Sequence, residues 1–324
     1  MIEYGWISVY LYYEEPFESL LIKGIKPFMQ PLVESGLIQR YFFIRYYEDG
    51  PHIRLRIRGE KDMLETIIFQ NLEEHFQRYF RLEPSVRLEE RADWYPNNSM
   101  KLSKYVPEVG RYGGQFGVTV AERQFHLSSE VVLQVIEKYG EYNWTEDIAL
   151  GEGIQLNLSM AFACGLNLEE SIQFFDFFCT HWVQASIYLL NISAEQIEEE
   201  KARWFSFYET NFQNNKDLIV NQNAALWQVL NDKEEFHEDY MNAWIGGNQL
   251  IYKDLASAYE GSLLSARDSK YIMKNTQQLS EKTLLVWSIL SDYVHITNNR
   301  LGISTENEAF MAYLIKRSLE ELVV

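Results

Sequence analysis

Residues 41–59 read YFFIRYYEDGPHIRLRIRG, and they place His52, Arg54, Arg56 and Arg58 two apart in a chain whose net charge is −18. In an extended strand, residues two apart share a face, so this spacing stacks one imidazole and three guanidiniums side by side. Like charges so placed repel one another unless an anion or carboxylates lie over them. The stretch is therefore either a solvated strand face, its arginines paired with some of the 47 acidic residues, or an anion-binding surface. Charged strand faces usually meet solvent, and these residues alone leave the choice open.

Outward from this stretch, Tyr41–Tyr47 and His52–Arg58 form two expected strands joined by Glu48-Asp49-Gly50-Pro51, a loop suited to an antiparallel hairpin. Before them, aromatic and β-branched residues make Tyr4–Tyr12 a first strand, ended by Glu14-Glu15-Pro16. Apolar residues near helical spacing predict a helix from about Phe17 to Ser35, stopped by Gly36. After them, Lys61–Arg81 reads as an amphipathic helix, and Ser85–Tyr95 as a further strand leading into a turn at Pro96-Asn97-Asn98-Ser99.

Residues 104–115, KYVPEVGRYGGQ, form a loop with three glycines and one proline. From about Ser128 onward turn signals thin out and apolar spacing becomes helical, as in Val131-Val135, Leu158-Phe162, Trp204-Tyr208 and Leu284-Trp287. The expected architecture is α+β: a lobe over residues 1–127 with a small, mainly antiparallel sheet and flanking helices, then an all-helical lobe over 128–324. The run Glu195–Lys201, EQIEEEK, is most simply a solvated helix face.

Composition narrows the function. With 47% hydrophobic and 15% aromatic residues the 324-residue chain is globular, and a charge of −18 argues against a surface built broadly for nucleic acid. The same field would steer a basic partner such as a cationic peptide, although solubility alone explains it. Cys164 and Cys179 are the only cysteines and sit in no CxxC pair, so neither zinc nor a disulfide framework is expected, and a reducing compartment fits. The N-terminus lacks a signal-peptide pattern, and no segment approaches the ~18 uninterrupted apolar residues of a membrane span. A soluble, cytoplasmic protein without membrane insertion, metal or cofactor is the expectation.

Three places concentrate side chains able to do chemistry. The first is the His52/Arg54/Arg56/Arg58 face, since a guanidinium fork can donate two parallel hydrogen bonds to a carboxylate. The second is Arg111, flanked by Gly110, Tyr112, Gly113 and Gly114, where a backbone can approach a ligand closely; a plain connection between lobes explains it equally. No GxxxxGK[ST] phosphate loop is present. The third is His295 near the end of a periodic helix, on one face with Asn299 and followed by Arg300. A helix-end charge or a satisfied core histidine is the ordinary explanation there. His75, His126, His181 and His237 show no metal-ligand spacing, and no GxSxG elbow occurs.

Taken in order, four motifs resemble one family. They are Trp6-Ile7-Ser8-Val9-Tyr10-Leu11-Tyr12; Phe42-Phe43-Ile44-Arg45-Tyr46 with His52-Ile53-Arg54-Leu55-Arg56; Pro107-Glu108 with Arg111-Tyr112-Gly113-Gly114; and His295 with Asn299-Arg300-Leu301. Together they resemble the C-terminal, glutamate-eliminating domain of lantibiotic dehydratases, also described as the thiopeptide-type bacteriocin biosynthesis domain. The resemblance spans nearly the whole chain. Where many members carry a second histidine two residues after the first, this chain has Thr297.

The resemblance implies that Ser and Thr of a ribosomally made precursor peptide, first esterified by glutamate from glutamyl-tRNA, lose glutamate here to become dehydroalanine or dehydrobutyrine. By the same resemblance Arg54, Arg56, Arg111 and His295 are the elimination residues. Arg54 and Arg56 would hold the glutamyl carboxylate or the leaving ester oxygen, Arg111 would complete the clamp, and His295 would be the general acid or base. Arg45, His52, Tyr112, Asn299 and Arg300 fall in the same motifs as substrate-binding candidates. The chain carries no large glutamylating domain, so the expected role is the small half of a split dehydratase. Its expected partners are the precursor peptide, a separate glutamylating subunit that handles the tRNA, and a cyclase. Two alternatives remain: a thiopeptide pyridine synthase, which joins two dehydroalanines in a formal cycloaddition, and a non-catalytic subunit that presents the precursor.

Overall fold

The computed structural model describes residues 2–89, 91–188, 190, 192–268 and 279–323. Two compact units emerge, each discontinuous in sequence: residues 1–107 with 125–145, and residues 108–124 with 146–324. One of the boundaries falls inside the long helix α4 (Gln115–Tyr139), so neither unit is a simple half of the chain.

The first unit is built on four antiparallel strands, β1 (Tyr4–Tyr12), β2 (Arg40–Tyr46), β3 (His52–Glu60) and β4 (Ser99–Ser103), in the order β2-β3-β1-β4. The alternation along β3 decides which face is which. Ile53, Leu55 and Ile57 are fully buried on one side, together with Val9 and Leu11 of β1 and Phe43 of β2. Helices α1 (Lys26–Glu34) and α3 (Phe69–Leu82) contribute Met29, Leu72, Phe76 and Phe80 to the buried apolar set of this unit. Each is entered through a widened π-helical segment, Leu20–Ile25 before α1 and Leu64–Ile68 before α3, the latter preceded by the single turn α2 (Lys61–Met63). The helices predicted over Phe17–Ser35 and Lys61–Arg81 are thus present.

Strand β2 lies at the sheet edge, and the second half of α4 covers it. Ser129 Oγ accepts from the Phe43 backbone N–H at 3.2 Å, and the His126 ring donates to the Tyr41 carbonyl at 3.0 Å. Side chains thereby satisfy the backbone groups that an exposed edge would offer to another strand.

The strand predicted over Ser85–Tyr95 is not there: the described residues of that stretch form no strand, and the fourth strand follows the turn instead, at Ser99–Ser103. The cause is local competition for backbone groups. Asn98 Oδ1 accepts from the Ser85 N–H at 2.9 Å, the Asn97 and Asn98 amides donate to its carbonyl at 3.1 and 2.9 Å, and Arg87 donates to the Tyr95 carbonyl at 2.8 Å. Those side chains occupy the groups a ladder would use.

The second unit is helical: α5 (Glu146–Ala163), α6 (Leu168–Tyr188), α7 (Ala194–Asn214), α8 (Lys216–Asp232), α9 (Asp239–Glu260), α10 (Glu281–Leu301) and α11 (Thr305–Glu320). Its core holds Trp244, Phe174, Phe175, Phe178 and Ile289, and polar groups inside it are matched: the Trp244 indole N–H donates to the Leu156 carbonyl at 2.8 Å, and Asn157 donates to Asn298 at 3.1 Å. Among the described residues no helix is long and apolar enough to cross a membrane. Cys164 and Cys179 are both free and buried, and burial pushes the Cys179 thiol up to about 12.

Candidate active site

The sheet face opposite the core carries the arginine ladder, and strand register explains how the cations tolerate one another. Arg54 pairs with Tyr10 and Ile44, Arg56 with Ser8 and Phe42, and Arg58 with Trp6 and Arg40. Each guanidinium lies over a ring: Arg54 is 3.3 Å from the Tyr46 centroid and 4.7 Å from that of Tyr10, Arg56 is 5.3 Å from Tyr105 and 5.7 Å from Phe42, and Arg58 is 5.5 Å from Trp6. Aromatic faces attract cations electrostatically, so each guanidinium has a favourable neighbour, although Arg58 also has a like charge, Arg40, opposite it. Arg54 also reaches Glu48 at 3.3 Å on the hairpin loop. One of the acidic residues does pair with the ladder at Arg54, from the hairpin loop.

His52 is fully buried among the rings of Tyr10, Tyr12 and Tyr46. Its Nδ1 faces the Gly50 carbonyl at 2.8 Å, and because a carbonyl only accepts, the proton belongs on Nδ1. Nε2 is then the lone pair that accepts from Arg54 Nε–H at 3.1 Å. Burial holds this imidazole down to about 4, so it is neutral at pH 7 and orients Arg54 rather than carrying charge.

Arg45, from the same sequence motif, points the other way. It aligns with Ile53 on the core face, where it is buried and paired with buried Glu18 at 2.9 Å.

In the second unit the loop Glu108–Gly114 is stitched to the segment after α9: the Ser265 N–H donates to the Gly113 carbonyl at 2.8 Å and the Asp268 N–H to the Gly110 carbonyl at 3.0 Å. Gly114 adopts φ +99, where a side chain is strained, and a Cβ at Gly117 would lie 1.7 Å from the Tyr112 carbonyl oxygen. These glycines let the loop turn sharply into α4 and hold out Arg111.

Arg111 donates to Asp292 of α10 at 2.8 Å and to Glu108 at 3.4 Å, and Arg267 pairs with the other oxygen of Asp292. One carboxylate thus bridges two largely buried guanidiniums. Burial pulls against the charge of Arg111, but Asp292 outweighs it and the net shift is upward; Arg267 is held down by burial and by Arg111 despite the same carboxylate. Tyr112, buried, stacks on Tyr293.

One turn after Asp292, His295 stacks on Trp182 of α6 with centroids 4.4 Å apart, and its Nδ1 lies 2.9 Å from Glu308 Oε1 of α11. Glu308 is buried, and burial pushes its carboxyl up against the opposing influence of His295 and Asn298. His181, beside Trp182, is held down by burial in the field of Asp292, Arg267, His295 and Arg111. The structure therefore gathers Arg111, Arg267, Asp292, His181, His295 and Glu308 in one cluster.

Asn299 is half-buried on the same helix, whereas Arg300 is buried and donates to the Ile296 carbonyl at 3.2 Å. Sequence reasoning missed Asp292, Arg267, Trp182 and Glu308. Asp292 alone had a signal, a carboxylate three residues before His295 inside the apolar run LLVWSILSDYV. Among the described residues no group of three or more His, Cys, Asp or Glu is placed to hold a metal.

Comparison with known proteins identifies the family of the chain. The family model described as lantibiotic biosynthesis dehydratase, C-terminal, matches residues 6–319. The subtilin biosynthesis protein SpaB of Bacillus subtilis is 28% identical over 135 residues, which cover 41% of this chain and 12% of that protein. The epidermin biosynthesis protein EpiB of Staphylococcus epidermidis is 25% identical over 134 residues, again 41% and 12%. Among solved structures, the pyridine synthase TbtD from thiomuracin biosynthesis superposes with a TM-score of 0.73 at 13% identity over 98% of both chains. TsrL gives 0.68 at 16% identity over 98% of this chain and 95% of its own. The tRNA-dependent lantibiotic dehydratase MibB of a Microbispora species gives 0.60 at 15% identity, covering 98% of this chain but 28% of MibB. These likenesses show a shared fold, and with the family match over nearly the whole length they lead to one conclusion: the chain belongs to the lantibiotic biosynthesis dehydratase C-terminal family.

Proposed function

We propose that the chain eliminates glutamate from glutamylated Ser or Thr of a ribosomally made precursor peptide, leaving dehydroalanine or dehydrobutyrine. The observation that carries this is the α10 cluster, in which an imidazole backed by a buried carboxylate lies one helical turn from a carboxylate that fixes two guanidiniums. A β-elimination needs both parts. A base takes the Cα proton, the electron pair of the broken Cα–H bond forms the Cα=Cβ double bond, and the Cβ–O bond breaks with its pair leaving on the esterified carboxylate of glutamate. His295 is assigned the proton, with Glu308 holding the ring so that Nε2 meets the peptide. Arg111, with Arg267 beside it, stabilises the departing carboxylate in a site poor in water.

Arg54 and Arg56 are assigned to the carboxylate of the glutamyl group that is not esterified, with His52 fixing the orientation of Arg54. Asn299 remains the substrate-binding candidate of this group; Tyr112, Arg300 and Arg45 are buried, and their proposed part is to hold the residues around them in place. A separate glutamylating subunit supplies the ester, and a cyclase consumes the product. Mass spectrometry of a pre-glutamylated precursor incubated with the purified chain tests this: conversion to the dehydrated peptide with free glutamate is expected, and an unchanged glutamylated peptide contradicts it and favours a presenting subunit.

A second reading, formal cycloaddition of two dehydroalanines, is favoured by the superposition on TbtD over 98% of both chains. It predicts that a precursor already carrying dehydroalanines becomes macrocyclic with loss of its leader, a product the elimination reading does not give.

A further inference from the structure

The second unit carries an aromatic cavity that the proposed chemistry does not use. Its volume is about 370 Å³, and it is walled by Trp204, Phe207 and Tyr208 of α7 and by Phe310 of α11, with Arg203, Glu306 and Asn307 at the rim. The spacing of 203, 204, 207 and 208 puts all four α7 residues on one helical face. Tyr208 is the buried floor, its ring 5.4 Å from Phe310, while Phe207 stays 59% exposed although a Phe310 ring lies 6.2 Å away. One exposed ring, Phe207, and two half-buried ones, Trp204 and Phe310, form a contiguous apolar patch around the cavity, the kind of surface that marks a binding site.

Charge says what fits it. The same helical face continues one turn earlier through Glu199 and Glu200, within the run Glu195–Lys201. The nearby cations are already taken: Arg203 pairs with Glu200 at 2.5 Å and Lys201 with Glu198 at 2.7 Å. With Arg203 offset by Glu200, the charge left over at the rim is that of exposed Glu306, and exposed Glu199 adds a second carboxylate one turn along α7, just outside the lining; among the described residues neither has a cation paired with it. Aromatic faces and carboxylates both favour cations, and the aliphatic stem of a lysine or arginine packs on rings while its head reaches a carboxylate.

The geometry points to the α7–α11 cavity as a docking site for a basic peptide segment, which lays a lysine or arginine side chain across Trp204, Phe207 and Phe310 with its charge at Glu306 and Glu199. The site lies on the chain's own surface and needs no step of the elimination, so it stands or fails independently of that reaction.

Fluorescence anisotropy of a labelled peptide of alternating lysine and phenylalanine tests it. Binding by the intact chain is expected, weakened about tenfold by Phe207→Ser and about tenfold by Glu199→Gln combined with Glu306→Gln, and falling with added salt. Phe207 is exposed, so its variant should melt with the parent in circular dichroism. Absence of binding, equal binding by both variants, or equal binding of an alternating glutamate and phenylalanine peptide would overturn the proposal. Dimerisation in sedimentation that Phe207→Ser abolishes would overturn it too, assigning the cavity to a second copy of the chain.

Discussion

At Arg54, orientation comes from neutral groups more than from charge: two rings sandwich the guanidinium, and a neutral imidazole accepts from its Nε. Lysine at this position keeps the charge but has no Nε–H, which leaves His52 Nε2 buried without its donor. Arg54→Lys is expected to cost about 1–3 kcal/mol in urea unfolding, the range for a buried polar atom left unmatched. His52 itself makes stability depend on pH. Its folded value of about 4 lies below the 6.5 of an unfolded chain, so between those values the unfolded state binds a proton that the folded state refuses. Stability is expected to be full above pH 6.5, to fall as pH drops toward 4 by about 3 kcal/mol, and to change no further on this group's account. Unfolding midpoints across pH 7 to 4 check this, and a His52→Phe variant should lose that part of the slope.

The strand β3 and the helix α10 show what a sequence discloses about an element and what it withholds. In β3 the period of two was legible, and so was the hairpin before it, because apolar and charged residues alternate without a break from His52 to Arg58. The rings under the guanidiniums were not legible, since they come from strands β1 and β2, where register decides them, and from Tyr105 just after β4. Arg45 is the clearest case: its motif placed it with the ladder, but one step of strand parity sends it to the core and to Glu18. Over Ser85–Tyr95 the apparent strand pattern lost to Asn97 and Asn98, whose amides bond Ser85 across a dozen residues. On α10, His295 was visible by its type, whereas Glu308 looked like an ordinary first-turn acid of α11 and Arg267 had no pattern at all. Asp292→Ala tests the helix as a clamp. It leaves two guanidiniums together with no shared carboxylate and is expected to cost about 3–5 kcal/mol in thermal or urea unfolding, whereas loss of an exposed pair costs under about 1 kcal/mol.

Across the whole molecule, an α+β unit with aromatic-backed arginines and a helical unit with a His–Glu pair beside an Arg–Asp–Arg bridge belong to one family fold. The proposed chemistry assigns the anion to the guanidiniums and the proton to His295, so the two kinds of group should fail in the same way when removed. The most direct measurement incubates a glutamylated precursor with Arg54→Ala, Arg56→Ala, Arg111→Ala and His295→Ala variants, each shown to be folded, and reads the products by mass spectrometry. Glutamylated peptide should persist with each variant while the parent chain dehydrates it at least about a hundredfold faster, the lower range for a general acid–base group. Normal dehydration by all four would contradict the assignment.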